Sequence, residues 1–178
     1  MEIQKTGLID CIVLNPKIFE DERGFFMELF QDFKYSKYLN SKFNFVQDNY
    51  SHSSRGVLRG LHFQKTKPQG KLIQVIRGEV FDVAVDLRKN STSFGKWHSE
   101  ILNDQNKKQF WIPPGFAHGF ITISETADFV YKCSDYYDAD DEGCIAWNDP
   151  NLNISWPIKQ PILSSKDKDA PFFNEIIF

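Results

Sequence analysis

Arg59, His62 and Lys71 lie within thirteen residues of one another in a stretch that is otherwise mostly apolar and β-forming. A guanidinium, an imidazole and an ammonium cost several kcal/mol each to bury unless they are paired, so packing alone does not explain them. Together they suit a pocket that holds an anionic substrate and moves protons.

The elements that carry them follow from the local sequence. Gly56 to Gln64 reads as a strand, a turn passes through Pro68 and Gly70, and Lys71 opens the next strand. Strict alternation puts Arg59 and His62 on opposite faces, and Gly60 between them allows a bulge that turns both toward one cavity. In the strand Val80–Asp86, Val83 and Val85 share one face, and Asp82, Ala84 and Asp86 the other. Should that second face line a barrel, Asp82 becomes a partner for a pocket cation.

Short strand candidates recur along the whole chain: 8–14, 24–30, 43–50, 57–64, 70–77, 79–87, 95–102, 109–112, 119–124, 129–133 and 144–147. Only Asp32–Ser41 reads as a helix, with Phe33, Tyr38 and Leu39 as its apolar set. The expectation is an all-β, antiparallel jelly-roll barrel with a few short helices, forming one domain over residues 1–178, because no repeat or linker divides the chain. The 17 phenylalanines suit a β-rich binder. With 21 basic and 24 acidic side chains and no basic cluster, nucleic acid is not an expected partner. Apolar runs are too short for a membrane span, and no apolar segment of a signal peptide follows Met1, which points to the cytoplasm. Cys11, Cys133 and Cys144 are odd in number and widely spaced, so free thiols are expected.

Pro113-Pro114-Gly115-Phe116-Ala117-His118 resembles the second motif of the cupins, a Pro-x-Gly turn leading to an inward-facing His. The first motif of metal-binding cupins has two His separated by one residue. Here that place holds His62-Phe63-Gln64, and the other two of four histidines, His52 and His98, lie elsewhere. Two suitable His are too few for a catalytic centre, so no metal and no cofactor is expected.

A longer series of motifs sharpens the resemblance: residues 21–28 (DERGFFME), 47–49 (QDN), 56–62, 70–72 (GKL), 81–86 (FDVAVD), 131–132 (YK), 147–150 (WNDP) and 165–167 (SKD), in this order. The chain is similar to the dTDP-4-dehydrorhamnose 3,5-epimerase family over about residues 3–167. The resemblance implies metal-free epimerisation at C3, C5 or both of a nucleotide-linked 4-keto-6-deoxy sugar, for surface glycan synthesis. It assigns His62 as base, Asp167 as the carboxylate that orients it, Lys71 as the enolate's cation and Tyr131 as the acid on the opposite face. Arg23 and Arg59 match positions that hold the diphosphate. Phe26, Glu28, Gln47, Asn49 and Lys166 match other substrate contacts, His118 and Asp82 a supporting hydrogen-bond network, and Tyr137 and Trp147 aromatic contacts. Asp169 competes with Asp167 as the partner of His62. The resemblance also implies a homodimer in which an N-terminal strand, with Leu8–Leu14 as the candidate, serves the partner's site. A dTDP-linked hexose and a GDP-linked heptose both fit as substrate. The rival readings are a non-catalytic sugar-binding cupin, opposed by the joint presence of acid and base, and a metal-dependent cupin oxygenase, opposed by the missing second His.

Overall fold

The computed structural model describes residues 1–39 and 44–176. Thirteen strands are found among them: β1 (Glu2–Lys5), β2 (Ile12–Asn15), β3 (Ile18–Asp21), β4 (Gly24–Met27), β5 (Gln47–Ser54), β6 (Leu58–Gln64), β7 (Lys71–Arg77), β8 (Glu79–Asp86), β9 (Trp97–Asn103), β10 (Gln109–Ile112), β11 (Phe116–Thr122), β12 (Thr126–Cys133) and β13 (Glu142–Cys144). Two short α-helices, α1 (Asp32–Tyr38) and α2 (Ser165–Lys168), and a 3₁₀ turn (Phe173–Glu175) complete the elements.

The strands form a six-stranded sheet in the order β1-β2-β10-β7-β12-β5 and a five-stranded sheet in the order β13-β6-β11-β8-β9, with every pairing antiparallel. The sheets face each other as a jelly-roll barrel, as the strand-rich sequence predicts. Alternation along each strand decides what enters the space between them. Ile73 and Val75 of β7, Val80 and Ala84 of β8, Phe120 of β11 and Phe129 of β12 form one buried cluster there. Asp82 lies on the same inward face of β8, while Val83 and Val85 point outward into a second cluster with Leu61, Phe63 and Ile145. A third cluster lies behind the six-stranded sheet, where α1 covers Leu14, Leu72 and Trp111.

Helix α1 starts at Gln31, whose side chain accepts from the Lys34 backbone N–H. Its buried contact is Tyr35 rather than Phe33, which is exposed and lies under the Lys37 ammonium. Tyr35 wins the inward place because its hydroxyl finds Gln109 Oε1 at 2.7 Å. The sequence reading extends this helix to Ser41 and begins a strand at Phe43, and residues 40–43 lie outside those described. That reading also misses β1 and β3, which are short and largely exposed, so neither presents an apolar run. Leu8–Leu14 does not stand free for another chain: Leu8, Cys11, Val13 and Leu14 are buried in this one, and β2 pairs with β1 and β10. The element that projects is the β3–β4 hairpin, which pairs only with itself.

Candidate active site

The bulge expected at Gly60 is present and sets the site. In β6 and β11, His62 pairs with His118 and Arg59 with Phe120, so Gly60 and Leu61 together oppose the single residue Gly119. His118 and Phe120 are two apart on β11 and share a face; their partners His62 and Arg59 are therefore brought to one face as well. Only glycine allows this approach. Gly60 has φ +124°, and a Cβ there would lie 2.5 Å from Gly119 Cα.

His62, Lys71 and Tyr131 line both lobes of the resulting cavity. One lobe, of about 250 Å³, adds Gln47, Asn49, Tyr137 and Glu142. The other, of about 370 Å³, adds Ser51, Arg59, His118, Phe120 and Asp167. These residues come from β5, β6, β7, β11, β12 and β13, with Tyr137 from the segment between β12 and β13, and α2 closes the group.

His62 Nε2 lies 2.6 Å from Asp167 Oδ1. Asp167 is buried and also accepts from the Ser164 hydroxyl at 2.8 Å. Burial raises the Asp167 carboxyl, but the hydrogen bonds from His62 and Ser164 outweigh it and hold the group below the usual range. A carboxylate only accepts, so His62 carries its proton on Nε2 and presents a basic Nδ1. Asp167 is placed by α2, whose N-cap Ser164 accepts from the Asp167 backbone N–H. Asp169 ends that helix exposed to solvent, which settles the choice between the two carboxylates.

On the other wall, Lys71 is half-buried and lies 5.9 Å from the Tyr131 ring. Among the described residues its ammonium has no hydrogen-bond or ion-pair partner, so its charge faces the cavity. Burial pulls its pKa down, opposed by Cys133, Asp82 and Glu142. Burial, reinforced by Cys133, pushes the Tyr131 phenol up to about 12, so it holds its proton at neutral pH. Arg59 donates through Nε to Ser53 at 3.1 Å, leaving the end of the guanidinium for the cavity. Behind the wall, His118 Nε2 meets Asp82 at 2.9 and 3.1 Å, and both are buried.

Glu142 is the principal residue the sequence reading does not single out. It accepts from Tyr137 Oη at 2.8 Å and is paired with Lys166, and its Oε1 stands 3.9 Å from His62 Nδ1. These hydrogen bonds overcome burial and keep its pKa low. The only local signal is a carboxylate at the start of a short strand, which is too common to mark a site. Trp147 does not reach the cavity; its carbonyl accepts from Trp156.

Arg23, Phe26 and Glu28, also expected to bind substrate, are not brought to this cavity either, and Lys166 meets its edge only through Glu142. Arg23 and Phe26 sit on the β3–β4 hairpin, 86% exposed in its side chain and 70% exposed respectively. Arg23 is held by Asp21 at 2.5 Å, and Glu28 is paired with Lys34 at 2.8 Å. Alternation predicts which face a residue takes, not that a hairpin stands off the barrel.

A base oriented by a carboxylate, an unpaired cation and a protonated phenol around one cavity is equipment for moving a proton next to a carbonyl. The known proteins that this chain resembles share that interest. The family model described as dTDP-4-dehydrorhamnose 3,5-epimerase matches residues 5–175. The curated dTDP-4-dehydrorhamnose 3,5-epimerase of Salmonella typhimurium is 50% identical over 179 residues, covering 99% of this chain and 98% of its own length. The crystal structure of a dTDP-6-deoxy-D-glucose-3,5-epimerase from Legionella pneumophila, in complex with dTDP-4-keto-L-rhamnose, has a TM-score of 0.96 at 51% identity, covering 99% of this chain and 94% of that one. A 3'-monoepimerase from Streptomyces bikiniensis in complex with dTDP-quinovose has a TM-score of 0.88 at 31% identity, with 94% and 85% covered. With matches of this length and depth added to the geometry, the chain belongs to the dTDP-4-dehydrorhamnose 3,5-epimerase family and is an epimerase of nucleotide-linked 4-keto-6-deoxy sugars.

Proposed function

We propose that the enzyme inverts C5 and C3 of a dTDP-linked 4-keto-6-deoxy sugar through an enolate, with the roles divided among the residues of the cavity. His62 Nδ1 removes the hydrogen on a carbon beside the C4 ketone. The Lys71 ammonium takes up the negative charge that develops on the keto oxygen. Tyr131 returns a proton to the opposite face, and that opposition is what inverts the centre. Asp167 fixes the imidazole tautomer. Arg59 takes the diphosphate, with Gln47, Asn49, Tyr137 and Lys166 as further contacts, and Asp82 with His118 braces the wall. The observation that carries this reading is the enclosure of His62, Lys71 and Tyr131 in one cavity, each drawn from a different strand.

The whole chain acts as one catalytic unit, and it works as a homodimer. The self-paired β3–β4 hairpin supports this, since it leaves Phe19, Phe26 and Arg23 exposed where a second copy can meet them. A cytoplasmic location is supported by three free, buried cysteines. No described helix is long and apolar enough to cross a membrane.

The test is incubation with dTDP- and GDP-linked 4-keto-6-deoxy sugars in D₂O, reading deuterium and configuration at C3 and C5. Deuterium at both carbons of the dTDP sugar is expected. In Tyr131→Phe, deuterium should still enter while inversion slows. Exchange at one carbon alone would make this a mono-epimerase, and inversion at the wild-type rate in Tyr131→Phe would remove the phenol from the acid's role.

A further inference from the structure

The space between His62, Asp167 and Cys144 has a property that sugar epimerisation does not use. A ring nitrogen of His62, Cys144 Sγ and an Asp167 oxygen all lie within 4.8 Å of one another. Cys144 is the cross-strand partner of His62 in β13 and β6, which points its sulfur at the same carboxylate, 3.6 Å from Oδ1. Zinc binds nitrogen and oxygen at about 2.0–2.2 Å and thiolate at about 2.3 Å, so ligand atoms around a tetrahedral ion stand roughly 3.3–3.6 Å apart. The sulfur–oxygen distance already fits. The 2.6 Å between His62 Nε2 and Asp167 Oδ1 spans a shared proton, and replacing that proton by an ion opens it by less than about 1 Å. The larger lobe opens onto His62 and Asp167, and Cys144 lies buried beside them.

A second observation comes from the far side of the ring. Metal-bound histidines direct their other nitrogen to a carboxylate or carbonyl, which fixes the ring. His62 Nδ1 faces Glu142 Oε1 at 3.9 Å, longer than a hydrogen bond but near enough for a carboxylate to take that role after a shift of under about 1 Å.

We infer that His62, Cys144 and Asp167 form a site for a thiophilic divalent cation of the Zn²⁺ class, and that occupancy silences the catalytic base. The proton balance explains the silencing. An ion on Nε2 displaces the proton held there, and a neutral imidazole then carries its single proton on Nδ1, directed at Glu142. The atom that abstracts the sugar hydrogen is thereby blocked. Cys144 loses its thiol proton to solvent as the thiolate binds, and Asp167 is already ionised, so one proton is released per ion. The binding rests on donor geometry alone, whereas the loss of turnover rests on the assignment of His62 as base.

The experiment titrates chelator-treated enzyme with Co²⁺ and with Zn²⁺, following absorption, proton release and turnover. One Co²⁺ per chain should bind with a thiolate-to-cobalt charge-transfer band, and Zn²⁺ should displace it. Turnover should fall through kcat with KM nearly unchanged, and a chelator should restore it. Cys144→Ala should abolish the band and weaken inhibition by at least about tenfold, although Cys11 and Cys133 remain in that variant. Absence of the band, or equal Zn²⁺ sensitivity in Cys144→Ala, would overturn the site. A thiolate band with full turnover would overturn the silencing and count against His62 as base, leaving the site itself in place.

Discussion

Two histidine–carboxylate pairs have their imidazoles on neighbouring strands of one sheet, β6 and β11, and their surroundings differ. In the His62–Asp167 pair the imidazole is partly open to the cavity, and the carboxylate gains further donors in the Ser164 hydroxyl and the Cys144 thiol. Those donors keep Asp167 charged in spite of burial. In the His118–Asp82 pair both partners are buried and Asp82 has no donor but His118 among the described residues. Burial raises the Asp82 carboxyl and lowers the His118 imidazole, so both are driven toward their uncharged forms and one proton serves the two. The side chains are the same; solvent access and the donors around Asp167 suit one pair to the proposed proton transfer and the other to bracing a wall.

Substitution of the two histidines should separate these roles most sharply. His62→Asn is expected to lower turnover and deuterium uptake by about 10²–10⁴-fold, with a melting temperature close to that of the parent. An equal loss in His118→Asn, at equal stability, would erase the distinction between the pairs.

Stability should give the converse result. Asp82→Ala leaves His118 Nε2 buried without its hydrogen-bond partner, at a cost of about 1–3 kcal/mol in denaturant unfolding. Asp82→Ala with unchanged stability would mean that the inner pair braces nothing.

The smallest effect concerns acid. Asp167 has a folded-state pKa below its ordinary value of 3.8, so the folded chain binds fewer protons there than the unfolded chain does. Its contribution to stability is present above that value and is lost as pH falls toward the lower folded pKa. Asp167→Asn should therefore lose less stability than the parent between pH 5 and acid, within about that range. An acid limb as steep as the parent's would show that Asp167 is not the ionised member of the comparison.

Much of the inner pair and of the cavity wall is readable from local sequence. The alternation in β8 places Asp82 inward, the Pro-Gly turn before β11 places His118, and Gly60 marks the bulge that joins Arg59 to His62. The outer pair is harder. Lys166-Asp167-Lys168-Asp169 looks like a solvated charge run, and helix α2 is only four residues long, so neither period nor composition announces it. The partner of Asp167 is 105 residues away, and local propensity carries no information on such a contact; only the family motif picks it out. Glu142 and Ser164 escape for the same reason, since their value lies in what the fold sets beside them. The hairpin residues Arg23 and Phe26 show the reverse failure, where a motif names residues that this chain's own barrel does not gather.

The segment that delivers Asp167 is clasped to the barrel by a short parallel bridge, Leu58 N–H to Ile162 O at 3.0 Å and Ile162 N–H to Gly56 O at 2.8 Å. Every strand of both sheets precedes it, the last ending at Cys144. A nascent chain that has emerged as far as Ile154 thus holds the full set of strands and the imidazole, yet lacks the carboxylate that sets its tautomer. In chain order the carboxylate therefore comes after the barrel that it serves. Release of that one clasp, a local opening far smaller than global unfolding, separates the carboxylate from the imidazole and leaves every strand of the two sheets in place.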